Sequence, residues 1–298
     1  MPHAMFTGAY TAIVTPFTKA GKLDEPRLRD LVEFQVANGI DGIVPCGTTG
    51  ESPTLDYDEH NRVVEVVVAA AAKRCKVIAG TGSNCTAEAI TLTKHAKAVG
   101  ADASLQVAPY YNKPTQAGLY AHFRAIAEAV ELPLILYNIP GRCGVDVANE
   151  TTARLRRDLP QWIVGLKEAT GNVDRVSQLR ALVDKEFVVL SGDDSLTVPM
   201  MVVGAVGVIS VASNIVPREV SDMVHAAQRG DFAKAVQLHS RLLALFKDLF
   251  IETNPIPVKA ALALAGRIEE TYRLPLVPMA DNNKAQLRKT LAALGLVK

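Results

Sequence analysis

Lys167 closes a short apolar run, Trp162-Ile163-Val164-Gly165-Leu166-Lys167, bounded upstream by Pro160 and downstream by Thr170-Gly171-Asn172. Such a run reads as a buried strand, and a lysine at its end stands where the sheet meets whatever caps it. Partial desolvation there disfavours the ammonium and lowers its pKa towards the range in which a neutral amine attacks a carbonyl. Attack on a keto acid gives a Schiff base, which turns the adjacent carbon into an enamine nucleophile. That route needs a proton shuttle, and a phenol of lowered pKa at Tyr137 would serve. It also needs donors for the acid's carboxylate. The hydroxyls and backbone N–H groups of Gly47-Thr48-Thr49-Gly50 supply them, and Arg142 would hold a second carboxylate bidentately. Each residue taken singly has a plain structural reading: a lysine reaching water, a turn hydroxyl bonding its own backbone, a half-buried tyrosine, a solvated arginine.

Positions so far apart act together only if a fold collects them. Short apolar runs at 8–14, 40–45, 76–79, 103–108, 134–137, 162–166, 187–190 and 206–211 read as strands. The first seven are followed by segments of helical period at 24–37, 56–73, 86–99, 115–130, 150–157, 172–183 and 196–203. Asp24 is placed to cap the first helix, and Val63, Val64, Val67, Val68 and Ala71 recur at helical spacing in the second. After the eighth strand come only helices, at 217–229, 231–250, 257–265 and 283–294. Eight βα units without a long linker predict an α/β protein, a closed (β/α)8 TIM barrel. The catalytic barrel would occupy 1–228, with a C-terminal helical extension over 229–298. A doubly wound open sheet is the alternative, disfavoured because no strand leads into a G-x-G-x-x-G turn with an acidic residue about 20 positions on.

Barrel enzymes carry their sites at the C-terminal ends of the strands. Thr48 and Thr49 follow the second strand, Tyr110 and Tyr111 the fourth, Tyr137 and Arg142 belong to the fifth, Lys167 ends the sixth and Gly192 follows the seventh. A set of merely structural residues would not converge on one rim. Neither the Gly192-Asp193-Asp194 turn nor the stretch from Gly204 to Gly207 resembles a phosphate cradle, which points to an unphosphorylated acid as substrate.

The formal net charge of +1, with no long basic block, leaves no electrostatic footprint for nucleic acid or an anionic membrane. Met1-Pro2-His3-Ala4 lacks a signal-peptide pattern, so a soluble cytoplasmic protein is expected. Cys46, Cys75, Cys85 and Cys143 form no CxxC pair and have no metal-ligand spacing, so neither a metal nor another cofactor is expected. Cys46 as a nucleophile has no neighbour in sequence to lower its pKa.

Three stretches carry a family likeness: Gly47-Thr48-Thr49-Gly50-Glu51, Tyr137-Asn138-Ile139-Pro140-Gly141-Arg142 and Gly165-Leu166-Lys167-Glu168-Ala169. They resemble the pyruvate-dependent class I aldolases and, among these, the dihydrodipicolinate synthase family. The likeness extends from about Gly8 to Leu296 and takes in Asn254-Pro255-Ile256-Pro257-Val258-Lys259. It implies that Lys167 forms an imine with pyruvate, whose enamine adds to L-aspartate 4-semialdehyde before cyclisation, a step of lysine and diaminopimelate biosynthesis. It implies that Tyr137 shuttles protons, with Thr48 and Tyr111 completing a relay. Tyr111 would reach into a neighbouring subunit of a homotetramer built as a dimer of dimers. Thr49 and the backbone at Ile209 would hold the pyruvate carboxylate near Gly192, and Arg142 the carboxylate of the semialdehyde. The family's feedback site for L-lysine maps onto Pro53, Tyr57, His60, Asn84, Glu88 and Tyr110. Its plain alternative is a pair of exposed helix residues, His60 and Glu88. Tyr57 stands where lysine-sensitive relatives often have histidine, and Cys143 where threonine is common.

Two other activities compete. N-acetylneuraminate lyases and keto-deoxy sugar acid aldolases share the lysine and tyrosine but usually lack an arginine at the position of Arg142. A non-catalytic barrel that kept only an effector site would not need Lys167, Tyr137, Thr48 and Tyr111 together.

Overall fold

In the computed structural model residues 6–297 are described, so the Met1-Pro2-His3-Ala4 stretch lies outside them. Eight parallel strands pair in sequence order and close, the first bonding the eighth. They are β1 (Gly8–Ala12), β2 (Gly42–Val44), β3 (Lys76–Gly80), β4 (Ala103–Val107), β5 (Leu134–Asn138), β6 (Ile163–Glu168), β7 (Val188–Ser191) and β8 (Gly207–Ser210). Around them lie α1 (Glu25–Ala37), α2 (Tyr57–Ala71), α3 (Thr86–Ala98), α4 (Gln116–Val130), α5 (Pro140–Cys143), α6 (Asn149–Asp158), α7 (Asp174–Arg180), α8 (Thr197–Val202) and α9 (Pro217–Gln228). Three further helices follow, α10 (Phe232–Asp248), α11 (Ile256–Leu264) and α12 (Asp281–Ala293). The expected barrel with added C-terminal helices is the observed one. Among the described residues no helix is long and apolar enough to cross a membrane.

Both faces of the strands are buried, which explains why they read as continuous apolar runs. Tyr10, Val44, Ile78, Leu105, Ile135, Leu190 and Ile209 fill the inside of the barrel, while Ile43, Val77, Leu136, Leu166, Val189 and Val208 meet the helices. Helix starts follow the capping residues: Asp24 accepts from the Arg27 N–H at 3.2 Å, Asp56 from Glu59 at 2.8 Å and Asp231 from Lys234 at 3.0 Å.

The differences from expectation lie at the rim. The first strand stops at Ala12 although Ile13 and Val14 are fully buried. There the ladder gives way to a side chain, Asn214 Oδ1, which accepts from the Val14 N–H at 3.1 Å. The stretch after β5, for which no helix was expected, contains the one-turn helix α5 that carries Arg142.

One irregularity aims the key side chain. Leu134 pairs with Ile163, but the next residue, Ile135, pairs with Gly165, so β6 has one residue extra. Strict alternation from the inward Val164 would turn Lys167 outwards. The bulge resets the phase: Leu166 packs against the helices, and Lys167 lies in register with the inward-facing Tyr137 and Leu190.

The C-terminal helices are tied to the barrel mouth by a buried ion pair. Lys259 of α11 meets Glu51, at the end of the loop after β2, and neither side chain reaches solvent. Lys259 Nζ also lies 4.3 Å from the centroid of the Phe17 ring. Removing one partner leaves a buried charge uncompensated, whereas removing both need not. Lys259→Met is therefore expected to cost about 3–5 kcal/mol, read as a lower urea midpoint. The double variant Glu51→Gln/Lys259→Met should recover most of that loss, and a double variant no more stable than the single one would refute an electrostatic tie.

Candidate active site

The loop after β2 enters and leaves through left-handed backbone, Cys46 at φ 55° and Glu51 at φ 54°. Non-glycine residues hold such angles only when their surroundings fix them. Here the fixing groups are the Glu51–Lys259 pair and a hydrogen bond from Thr15 Oγ1 to the Gly50 carbonyl at 2.6 Å. Thr48 and Thr49 are thereby presented to the mouth of the barrel. Thr49 is buried, and its Oγ1 accepts from Asn254 Nδ2 at 3.0 Å. The Thr48 hydroxyl is hydrogen-bonded to the Tyr137 phenol.

Lys167 is 6 % exposed, and its Nζ lies 4.3 Å from the centroid of the Tyr137 ring. Its pKa is lowered to about 8: burial disfavours the ammonium, the Asp194 carboxylate opposes that effect, and the Arg142 guanidinium adds to the lowering. Asp194 is itself engaged elsewhere: it accepts from Ser210 Oγ and from the backbone N–H groups of Val211 and Ala212, both at 3.0 Å. Gly192 follows β7, and a Cβ there would lie 3.0 Å from Lys167 Cε and 2.6 Å from Ala169 Cβ. The absent side chain makes room for the lysine arm.

A hollow of about 50 Å³ lies here, bordered by Lys167, Tyr137, Thr48, Thr49, Gly192 and Ile209, with Arg142 and Asn254 at its edge. Thr48, Tyr137 and Arg142 also border an outer cavity of about 420 Å³. Arg142 is exposed and donates from Nη2 to the Asn254 carbonyl at 3.2 Å. Such a site can form an imine in the hollow and grip a carboxylate at Arg142.

One expectation is corrected. The Tyr137 phenol is not lowered: burial pushes it up to about 12, against the Thr48 hydrogen bond and the Arg142 charge, which favour the phenolate. Tyr137 is therefore a neutral phenol at pH 7, able to pass a proton only by giving one and taking one. A second residue is not brought in. Tyr111 is 90 % exposed at φ 71° and borders neither the hollow nor the outer cavity of its own chain. Cys46 is buried, its thiol pushed up by desolvation and its Sγ 3.5 Å from the His60 carbonyl, so it has no nucleophilic character.

Pro53, Tyr57, His60, Glu88 and Tyr110 all border the outer cavity. Asn84 stands beside it and donates to the Tyr110 carbonyl at 3.2 Å. His60 is no exposed helix residue. It is buried, its Nε2 donates to the Gly80 carbonyl at 2.8 Å, and desolvation lowers its pKa. Glu88 accepts from Ser83 Oγ at 2.8 Å and bonds the Tyr57 phenol, which raises the Tyr57 pKa to about 12. Cys143 is buried at the wall of the same cavity. Asn254, Asp194 and the Glu51–Lys259 pair carried no assigned role in the sequence reading. Asn254 lies between two helices, far from any strand end, where spacing offers no signal.

The family model described as dihydrodipicolinate synthetase family matches residues 5–294. The 4-hydroxy-tetrahydrodipicolinate synthase of Sulfurihydrogenibium sp. (strain YO3AOP1) is 56 % identical over 295 residues, 99 % of this chain and 100 % of that protein. The structure of chloride-inhibited dihydrodipicolinate synthase from Acinetobacter baumannii complexed with pyruvate superposes with a TM-score of 0.95 at 48 % identity, covering 98 % of this chain and 99 % of that one. The lysine-bound dihydrodipicolinate synthase of Cyanidioschyzon merolae does so with a TM-score of 0.95 at 44 % identity and the same coverage.

A buried amine is a nucleophile only when neutral, so its attack on a carbonyl must quicken as pH rises through its pKa. The initial rate at which a small keto acid is trapped on Lys167 by borohydride is expected to reach half its maximum near pH 8. A midpoint near the ordinary lysine value of 10.5 would contradict the effect of burial. Gly192→Ala should slow trapping by about 100-fold or more, because a displacement of about 1 Å is enough to cost that much.

Proposed function

The chain belongs to the dihydrodipicolinate synthetase family, and from that premise we propose that it is a lyase condensing pyruvate with L-aspartate 4-semialdehyde to 4-hydroxy-tetrahydrodipicolinate. The observation that carries this reading is Lys167: a buried amine with its pKa lowered to about 8, lying against the ring of a buried phenol beside a small hollow edged by two threonines. The pyruvate complex of the Acinetobacter relative supports the first substrate, and the name shared by the curated relatives supports the product.

The neutral Lys167 amine attacks the pyruvate keto carbon, and water leaves to give the imine. Thr49 and the Ile209 backbone hold the carboxylate. Loss of a methyl proton gives the enamine, whose carbon attacks the aldehyde of the semialdehyde held by Arg142. The new alkoxide takes a proton, and the amino group of the second substrate then displaces Lys167 from the imine carbon and closes the ring. Tyr137 moves these protons as a neutral phenol in series with Thr48, and Tyr111 of a neighbouring subunit completes the relay. The exposure of Tyr111 motivates that assignment, within a homotetramer arranged as a dimer of dimers.

L-Lysine is proposed as a feedback inhibitor in the outer cavity, among Pro53, Tyr57, His60, Asn84, Glu88 and Tyr110, supported by the lysine-bound relative. The setting is the cytoplasm. The polyol-cleaving aldolases are disfavoured by Arg142 beside the hollow.

Purified protein should consume aspartate 4-semialdehyde only when pyruvate is present, and more slowly once lysine is added. Pyruvate trapping on Lys167 without turnover would leave the imine chemistry and overturn the aldehyde. Tyr137→Phe should lower kcat by about 10²–10⁴, the usual worth of a positioned proton donor. Arg142→Ala should damage the kinetics of the semialdehyde much more than formation of the pyruvate imine, and equal losses would remove the role given to Arg142.

A further inference from the structure

Between α10 and α11 the chain turns back across the barrel mouth, and Asn254 in that turn is 5 % exposed. It touches two residues from different loops. Its Nδ2 donates to Thr49 Oγ1 at 3.0 Å, and its carbonyl accepts from Arg142 Nη2 at 3.2 Å. It also edges the hollow that holds Lys167. Its position is anchored five residues later, where Lys259 pairs with Glu51 in the loop that carries Thr49.

A threonine hydroxyl has one hydrogen to give and two lone pairs that accept. An N–H already aimed at Oγ1 occupies a lone pair, which leaves the hydroxyl hydrogen free to be given elsewhere. It also polarises the O–H bond and strengthens the bond that hydrogen makes. Without that N–H the hydroxyl is free to rotate towards a protein acceptor.

We propose that Asn254 is a positioning residue that links the two carboxylate grips. Its side-chain amide orients Thr49 to donate to the keto acid, and its main-chain carbonyl steadies Arg142 for the second substrate. The inference rests on the roles given to Thr49 and Arg142 under the proposed function.

The two arms are separable, because substitution removes the side chain and keeps the carbonyl. With Asn254→Ala the KM for pyruvate should rise about 10-fold, the effect of losing one hydrogen bond to a charged acceptor. The KM for aspartate 4-semialdehyde should stay within about 2-fold. Asn254→Asp keeps the shape but can only accept, so it takes the Thr49 hydrogen for itself. It should be worse than alanine, with a pyruvate KM raised about 100-fold, since a charged group is involved. A side chain that merely filled space would give the opposite order, aspartate milder than alanine, and that result sinks the proposal. So would equal rises in both KM values.

A double-mutant cycle separates action through Thr49 from direct contact. In a Thr49→Val background, Asn254→Ala should add no further loss in the rate of pyruvate trapping at low pyruvate. A full additional loss would overturn the link. Trapping is read by mass on Lys167 and needs no aldehyde. Absence of adduct in the unsubstituted protein would therefore refute the proposed function, whereas normal adduct with an unchanged Asn254 variant would refute this inference alone. Should Asn254→Ala fail to fold, the aspartate variant, close in size, carries the same test.

Discussion

The desolvation of one amine governs the site. A lysine at the end of a barrel strand ordinarily stays charged by reaching water, or by pairing with an acid. Lys167 is denied the first by its burial against the Tyr137 ring. The carboxylate whose charge opposes its desolvation, Asp194, is taken up by Ser210 and two backbone N–H groups that hold the end of β8. It therefore offsets the burial of Lys167 without cancelling it. Much of the surrounding architecture serves that condition: the bulge that turns the side chain inward, the glycine that admits its arm, and the phenol ring against which the amine lies.

A second buried lysine in the same molecule marks the contrast. Lys259 meets Glu51 directly and lies against Phe17, so its ammonium has both a counter-ion and an aromatic face. Burial lowers its pKa too, and Glu51 opposes that lowering by charge and by hydrogen bond. One lysine is placed for reaction and the other for holding the loop that serves the first. What divides them is whether a carboxylate sits within bonding distance, which no feature of their local sequence reveals.

The barrel was legible because its causes are local. Apolar runs of strand length, helical periodicity and the cap Asp24 each arise from neighbouring residues. The positions of Lys167, Tyr137, Thr48, Thr49, Arg142 and Gly192 at strand ends followed from the fold. What escaped depends on contacts distant in the chain. The extra residue in β6 is defined only by its pairing with β5, and Asn254 meets Thr49 across 205 positions. The sign of the Tyr137 shift failed for another reason. Burial disfavours whichever form is charged, so one environment lowers a lysine and raises a phenol. An electropositive neighbour such as Arg142 did not outweigh that effect.

Thr48, Tyr137 and Arg142 stand in the wall between the hollow and the outer cavity, with a face towards each. A shared wall gives the two spaces a means of coupling, and any such coupling is reciprocal. Any occupant of the outer space that favours one arrangement of those three side chains alters the affinity of the inner space by some factor. The occupant of the inner space must then alter the affinity of the outer one by that same factor. A molecule seated there that favoured one arrangement would accordingly bind with a strength that depends on how full the inner space is.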